Sequence, residues 1–114
     1  MRAALIAVFV AVLGSVLPAM AQVAVKRAIA SVAETMVAAP RCGVTFDRDV
    51  ARQVLATAGY DEANAQHVAE FDLSLQEERL YWSHRTQDEI KTECDLLWQS
   101  FGPDGLVRKG LLRK

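Results

Sequence analysis

Four polar side chains, His67, Glu70, Glu77 and His84, recur at spacings of 3, 7 and 7, which places them along one helix face. Imidazole and carboxylate are common ligands of zinc and related metals, so this stripe is the first place to look for chemistry. Distance decides against a single centre. His67 and His84 are 17 residues apart, about 25 Å along an α-helix, whereas a metal holds its ligands within about 2 Å. His67 with Glu70 alone is an i, i+3 pair that needs ligands from elsewhere, and a solvated helix face explains it more simply. A weak metal-binding protein or minor enzyme using that pair is a third reading, and the expectation is no metal and no cofactor.

Nucleophilic chemistry has equally little to stand on. None of Ser15, Ser31, Ser74, Ser83 and Ser100 lies in a G-x-S-x-G turn. Ser83 and His84 are sequence neighbours, and neighbours on a helix point apart. Glu77-Glu78 and Asp88-Glu89 are adjacent carboxylates with no evident apolar pocket to raise a pKa. Glycine is sparse, and no phosphate-binding loop is present. The chain is therefore not expected to be an enzyme, and no residue is assigned a catalytic role.

The two cysteines, Cys42 and Cys94, are 52 residues apart, which excludes a C-x-x-C redox motif. An even pair in a short exported chain reads as one disulfide. Export itself is written at the start. Arg2 supplies a positive charge, Ala3 to Leu17 is an uncharged apolar run, and Pro18 precedes the small-residue site Ala19-Met20-Ala21. Pro18 is expected to break the helix and leave that site extended for a signal peptidase. Residues 1–21 are thus read as a cleaved signal peptide and 22–114 as one domain, beginning at Gln22. The competing reading, an uncleaved anchor, calls for about 20 apolar residues, and this run is shorter. The localisation expected is periplasmic or secreted, with a bacterial cell envelope as the setting.

Charge narrows the partners. The 114-residue chain has 13 Lys and Arg against 14 Asp and Glu, and its net charge of −1 becomes −2 once Arg2 leaves. A nucleic-acid binder would show a basic excess, so none is expected. Acids dominate between Asp61 and Asp95, while residues 106–114 form a basic tail. Arg108, Lys109, Arg113 and Lys114 would give weak contact with an anionic membrane surface.

Four helical segments must position these residues. Val25, Ile29, Val32 and Met36 form the apolar stripe of a first helix from about Ala24 to Ala38, ended by Pro40. Arg41-Cys42-Gly43 reads as a connector. A second helix spans Arg48 to Ala58, with Asp47 as N-cap, Val50, Ala51, Val54, Leu55 and Ala58 buried, and Gly59 as a left-handed stop. A third starts at Asp61 as N-cap and runs to about Trp82, burying Val68, Phe71, Leu75 and Trp82. Its stripe skips a turn at Glu78 and Arg79, read as a boundary where the Arg stem covers apolar surface. Thr86-x-x-Glu89 is a capping box that opens a fourth helix, with Ile90, Cys94, Leu97 and Phe101 inward and Gly102-Pro103 as its end. Leu106, Val107, Leu111 and Leu112 are expected to fold back on the core. The fold class is all-α: a small antiparallel bundle of about four helices stapled by Cys42–Cys94, with no sheet. The connection between the third and fourth helices carries no Gly or Pro, so their separation rests on the capping box alone.

Leu73, Leu80, Tyr81 and Leu96 fall off the core stripes and make a candidate apolar interaction patch. Export, size, a stapled bundle and the lack of catalytic chemistry point to a binding protein of the cell envelope: an accessory subunit, inhibitor or immunity-like protein. Its partner would be another envelope or secreted protein. The layout also resembles that of the small periplasmic acid-stress chaperones, exported helical proteins with one long-range disulfide. That resemblance implies an acid or stress chaperone, in which protonation between Asp61 and Asp95 loosens the bundle while the disulfide limits unfolding; it assigns no residue roles. Mass spectrometry of protein from its host is expected to find Gln22 at the N-terminus and both sulfurs unreactive to alkylation before reduction. Retention of Met1 or Arg2, or two free thiols, would contradict both expectations.

Overall fold

The computed structural model describes the backbone from Arg2 and the side chains from Ala19 to Lys114. Four helices follow in order: α1 (Arg2–Cys42), α2 (Arg48–Ala58), α3 (Ala65–Ser83) and α4 (Gln87–Phe101). Two short strands, β1 (Thr45–Phe46) and β2 (Leu112–Arg113), complete the chain. The apolar leader expected from Ala3 to Leu17 lies outside the residues whose side chains are described. Ala19-Met20-Ala21 belongs to α1 and is helical, so the extended stretch expected there is not formed in this chain. Among the described residues, no helix is long and apolar enough to cross a membrane.

Helix α1 is the element on which α2, α3, α4 and β1 all pack. Its sequence explains why. Val25, Ile29 and Val32 supply the expected apolar stripe, while Ala28, Ala33, Ala38 and Ala39 are also buried, on more than one side. Alanine favours helix and leaves neighbouring backbones free to approach. Two hydroxyls are buried with them and both are satisfied. The Thr35 hydroxyl donates to the carbonyls of Ser31 (2.8 Å) and Val32 (3.1 Å), and the Ser31 hydroxyl accepts from Arg108 Nε at 3.2 Å.

Pro40 does not stop α1, contrary to the local preference of the residue before a proline. It sits in the last turn and the helix continues to Cys42. The buried pair Ala38 and Ala39 and the bond at Cys42 hold that turn against the local preference. The stop comes at Gly43, whose φ of 66° is left-handed, with the Val44 amide donating back to the Ala39 carbonyl at 3.1 Å. Gly59 ends α2 in the same manner, with the Tyr60 amide on the Leu55 carbonyl at 2.9 Å. Asp47 caps α2 as expected, accepting from the amides of Asp49 and Val50. Asn64, not Asp61, caps α3. Asp61 is drawn into the preceding turn, where its carboxylate accepts from Ala63 and its amide donates to His67 Nδ1.

The capping box at Thr86 and Glu89 forms with both hydrogen bonds in place, and α3 and α4 are separate helices. At the other end of α4, a Cβ on Gly102 would lie 2.6 Å from the Trp98 carbonyl oxygen, so only glycine lets the chain leave there. The tail then folds over the end of α4. Amides of Leu106, Val107 and Arg108 donate to the carbonyls of Gln99 and Ser100, which the helix leaves unpaired. Leu106 and Val107 stay exposed, whereas Leu111 and Leu112 enter the core as expected.

Those last residues also correct the all-helical expectation. β2 pairs antiparallel with β1, matching Thr45 to Arg113 and Phe46 to Leu112. The Asp47 amide extends the pairing by donating to the Leu111 carbonyl at 2.9 Å. A disulfide joins Cys42 to Cys94 with the Cα atoms 5.5 Å apart. Because Cys42 is the final residue of α1 rather than a connector residue, the bond ties α1 itself to the middle of α4. The disulfide indicates an oxidising, non-cytoplasmic location. Replacing both cysteines by serine is expected to lower the unfolding free energy by about 4 kcal/mol, the entropy of a loop this long. Urea denaturation of the oxidised protein and of the double variant measures the difference.

Candidate functional site

Of the residues read as candidates for chemistry, His67 is used by the fold. Its Nδ1 accepts the Asp61 amide at 3.1 Å, and its ring stacks on Tyr60 with centroids 5.7 Å apart. Tyr60 also meets Phe71 edge-on, so this trio shapes the turn from α2 into α3. Glu70 receives only a long contact from Gln66 at 3.5 Å. Among the described residues, no three His, Cys, Asp or Glu side chains converge as metal ligands. Ser83 turns away from His84 and donates to the Leu80 carbonyl at 2.7 Å.

The gap in the α3 stripe has a different occupant from the one expected. Arg79 is exposed, and Glu78 faces inward. There it lies within electrostatic reach of Glu34 of α1 and Glu93 of α4, so three helices bring carboxylates close enough to repel one another. Burial, then repulsion from Glu78 and Glu93, pushes the Glu34 carboxyl up from 4.5 to about 7. Burial also raises Glu78, offset in part by the Trp82 indole N–H, which lies near it without forming a well-directed hydrogen bond. The Tyr81 hydroxyl donates to Glu93, and that bond raises the phenol above its ordinary value. Arg85 stacks 3.9 Å over the Tyr81 ring and pairs with Glu89 at 3.0 Å. Neither Glu34 nor Glu78 lines the main groove of the molecule, so the shifted carboxyl and the groove are separate features.

That groove is about 660 Å³ and lies between α1, β1, α2 and α3. Val32, Ala39 and Ala51 form its buried floor. Met36, Val44, Phe46, Leu55 and Phe71 stand around it only half-buried, a concentration of apolar surface left uncovered among the described residues. Its size falls in the range of small-ligand clefts, about 300–1,000 Å³. Arg48 and Arg52 rise from α2 at the rim, and no carboxylate lines the walls.

Sequence reading missed this groove. The apolar stripes place Met36, Leu55 and Phe71 in the core, which they reach without being sealed in it. Val44 and Phe46 flank Thr45 in a period-two alternation, a strand signal too short to separate from a connector. Val68, expected on the α3 core stripe, is exposed.

The candidate patch residues are all exposed: Leu73 by 54%, Leu80 by 62%, Leu96 by 57% and Tyr81 by 37%. Leu73 and Leu80 share a face of α3 away from Trp82, seven residues apart. Tyr81 reaches across to Glu93, one turn before Leu96 on α4. The basic tail is divided rather than continuous. Arg108 and Lys109 lie with Arg27 beside α2, while Arg113 approaches Asp47 at 3.5 Å and Lys114 sits 5.4 Å from the Trp98 ring. Trp98 follows Cys94 by about one turn of α4, and with Cys42 and Cys94 it borders one small depression.

Comparison with protein-family models, curated proteins and solved structures returned no match.

The shifted carboxyl fixes the sign of a pH dependence. Glu34 binds its proton more tightly in the folded chain than in the unfolded one, so its contribution is complete below pH 4.5 and is lost as pH rises towards 7. Allowing for solvent screening, the loss amounts to about 1–2 kcal/mol. Glu89 acts oppositely: its capping and Arg85 bonds lower its pKa, so the stability it adds fades in acid. Urea titrations at pH 5 and pH 8 are expected to show Glu34→Gln stabilising the protein at pH 8 and leaving it nearly unchanged at pH 5.

Proposed function

We propose that the protein is an exported helical binding module of the cell envelope, and that it works by holding an apolar group in the groove between α1, β1, α2 and α3. The observation that carries this reading is the cluster of five large apolar side chains left half-covered around one cleft. A chain of this size buries hydrophobic surface wherever it can. Apolar surface that stays open in one concave place favours a ligand. The disulfide and the tail strand support the reading, because both fix walls of the cleft and limit the ordering that binding would cost.

The chaperone reading relies on acid loosening the bundle. Protonation of Glu34 and Glu78 relieves repulsion at a helix junction, which favours tightening there instead. A partner protein on the outer face of α3 and α4, through Leu73, Leu80, Tyr81 and Leu96, is the alternative site for a binding module. Nuclear magnetic resonance with a neutral apolar probe, 1-dodecanol, separates the two surfaces. Shifts are expected at Met36, Val44, Phe46, Leu55 and Phe71. Shifts centred on Leu73, Leu80 and Leu96, or no saturable shift at all, would remove the groove from consideration.

A further inference from the structure

The groove's charges say more than its size. Its walls are apolar, its rim has two guanidinium groups, and no carboxylate lines it, although acids outnumber bases in the whole chain. Arg48 opens α2, and Arg52 follows it by one turn on the same side of the helix. Both are exposed. Arg52 has one partner, Asp49 at 3.5 Å, and the side chains of that pair are 78% and 87% exposed, so the pair contributes little and leaves the guanidinium free to engage a ligand. Guanidinium groups hold carboxylates through paired hydrogen bonds. An apolar slot with two such groups at its mouth matches a molecule with an apolar chain and one anionic end.

We infer that the groove binds a single-chain anionic amphiphile of the long-chain carboxylate class, its tail along Val44, Phe46, Leu55 and Phe71 and its head between Arg48 and Arg52. This rests on the groove being the binding site and adds the chemistry of the occupant. The tail supplies most of the binding free energy by leaving water. The head supplies selection, since a cationic end would meet two like charges and a neutral end would gain no ion pair.

Dodecanoate, 1-dodecanol and dodecyltrimethylammonium share a chain and differ in the head, so they form the test. Each is titrated into the oxidised protein below its micelle concentration, with binding followed by calorimetry and by resonance shifts at Phe46 and Leu55. Dodecanoate is expected to bind at least about tenfold more tightly than either other probe, the scale of one charge-assisted contact. The double variant Arg48→Gln and Arg52→Gln should reduce that preference to about twofold or less. Its thermal unfolding should match that of the parent, because both side chains are exposed. Equal binding of dodecanoate and dodecanol to the parent protein would overturn the inference while leaving the groove as a binding site. No saturable binding of any probe would overturn both. An acidic amphipathic peptide that occupies the same residues more tightly than dodecanoate would replace the amphiphile with a protein partner.

Discussion

Cys42 ends α1 and Cys94 lies midway along α4, so their covalent bond fixes the far end of the helix on which everything else is packed. α2, α3 and α4 meet α1 more extensively than they meet one another. The orientation of each therefore depends on α1 holding its last turn. Pro40 works against that turn, and the bond two residues later works for it. With α1 fixed, the Gly43 turn leads directly into β1, which forms one wall of the groove.

Much of the helical layout was legible because short-range chemistry dictates it. Asp47, Gly59, Thr86, Glu89 and Gly102 mark ends that depend on one or two side chains and a backbone angle, and each marks an end in the structure. Misses arose where two local signals competed or where distant packing decided. Asp61 and Asn64 are both good caps, and the His67 ring, by accepting the Asp61 amide, settles which one caps α3. Pro40 is overridden by burial of its neighbours. The β1–β2 pair joins residues nearly 70 positions apart through two residues on each side, a signal no periodicity can carry. The groove was illegible for a related reason. Pattern tells which face of a helix turns inward, but whether the neighbouring element is wide enough to cover that face depends on the spacing of three helices at once.

The polar interior follows two different rules. Ser31 and Thr35 are buried and satisfied, one by a helix carbonyl network and one by Arg108 from the tail. Glu34, in the same turn of α1, faces two other carboxylates with no cation among them. Its burial is tolerated by retaining a proton to near neutrality instead of by pairing. Glu78 interrupts the apolar stripe of α3 where α1 and α4 each bring a carboxylate within electrostatic reach. The sequence marks that interruption clearly, while its partner on α1 becomes evident only once the helices are assembled.

Leu111 and Leu112 are among the most completely buried residues of the domain, and they come after all four helices in the chain. All four helices are therefore synthesised before the residues that complete their core. Closure waits for the final strand to reach β1.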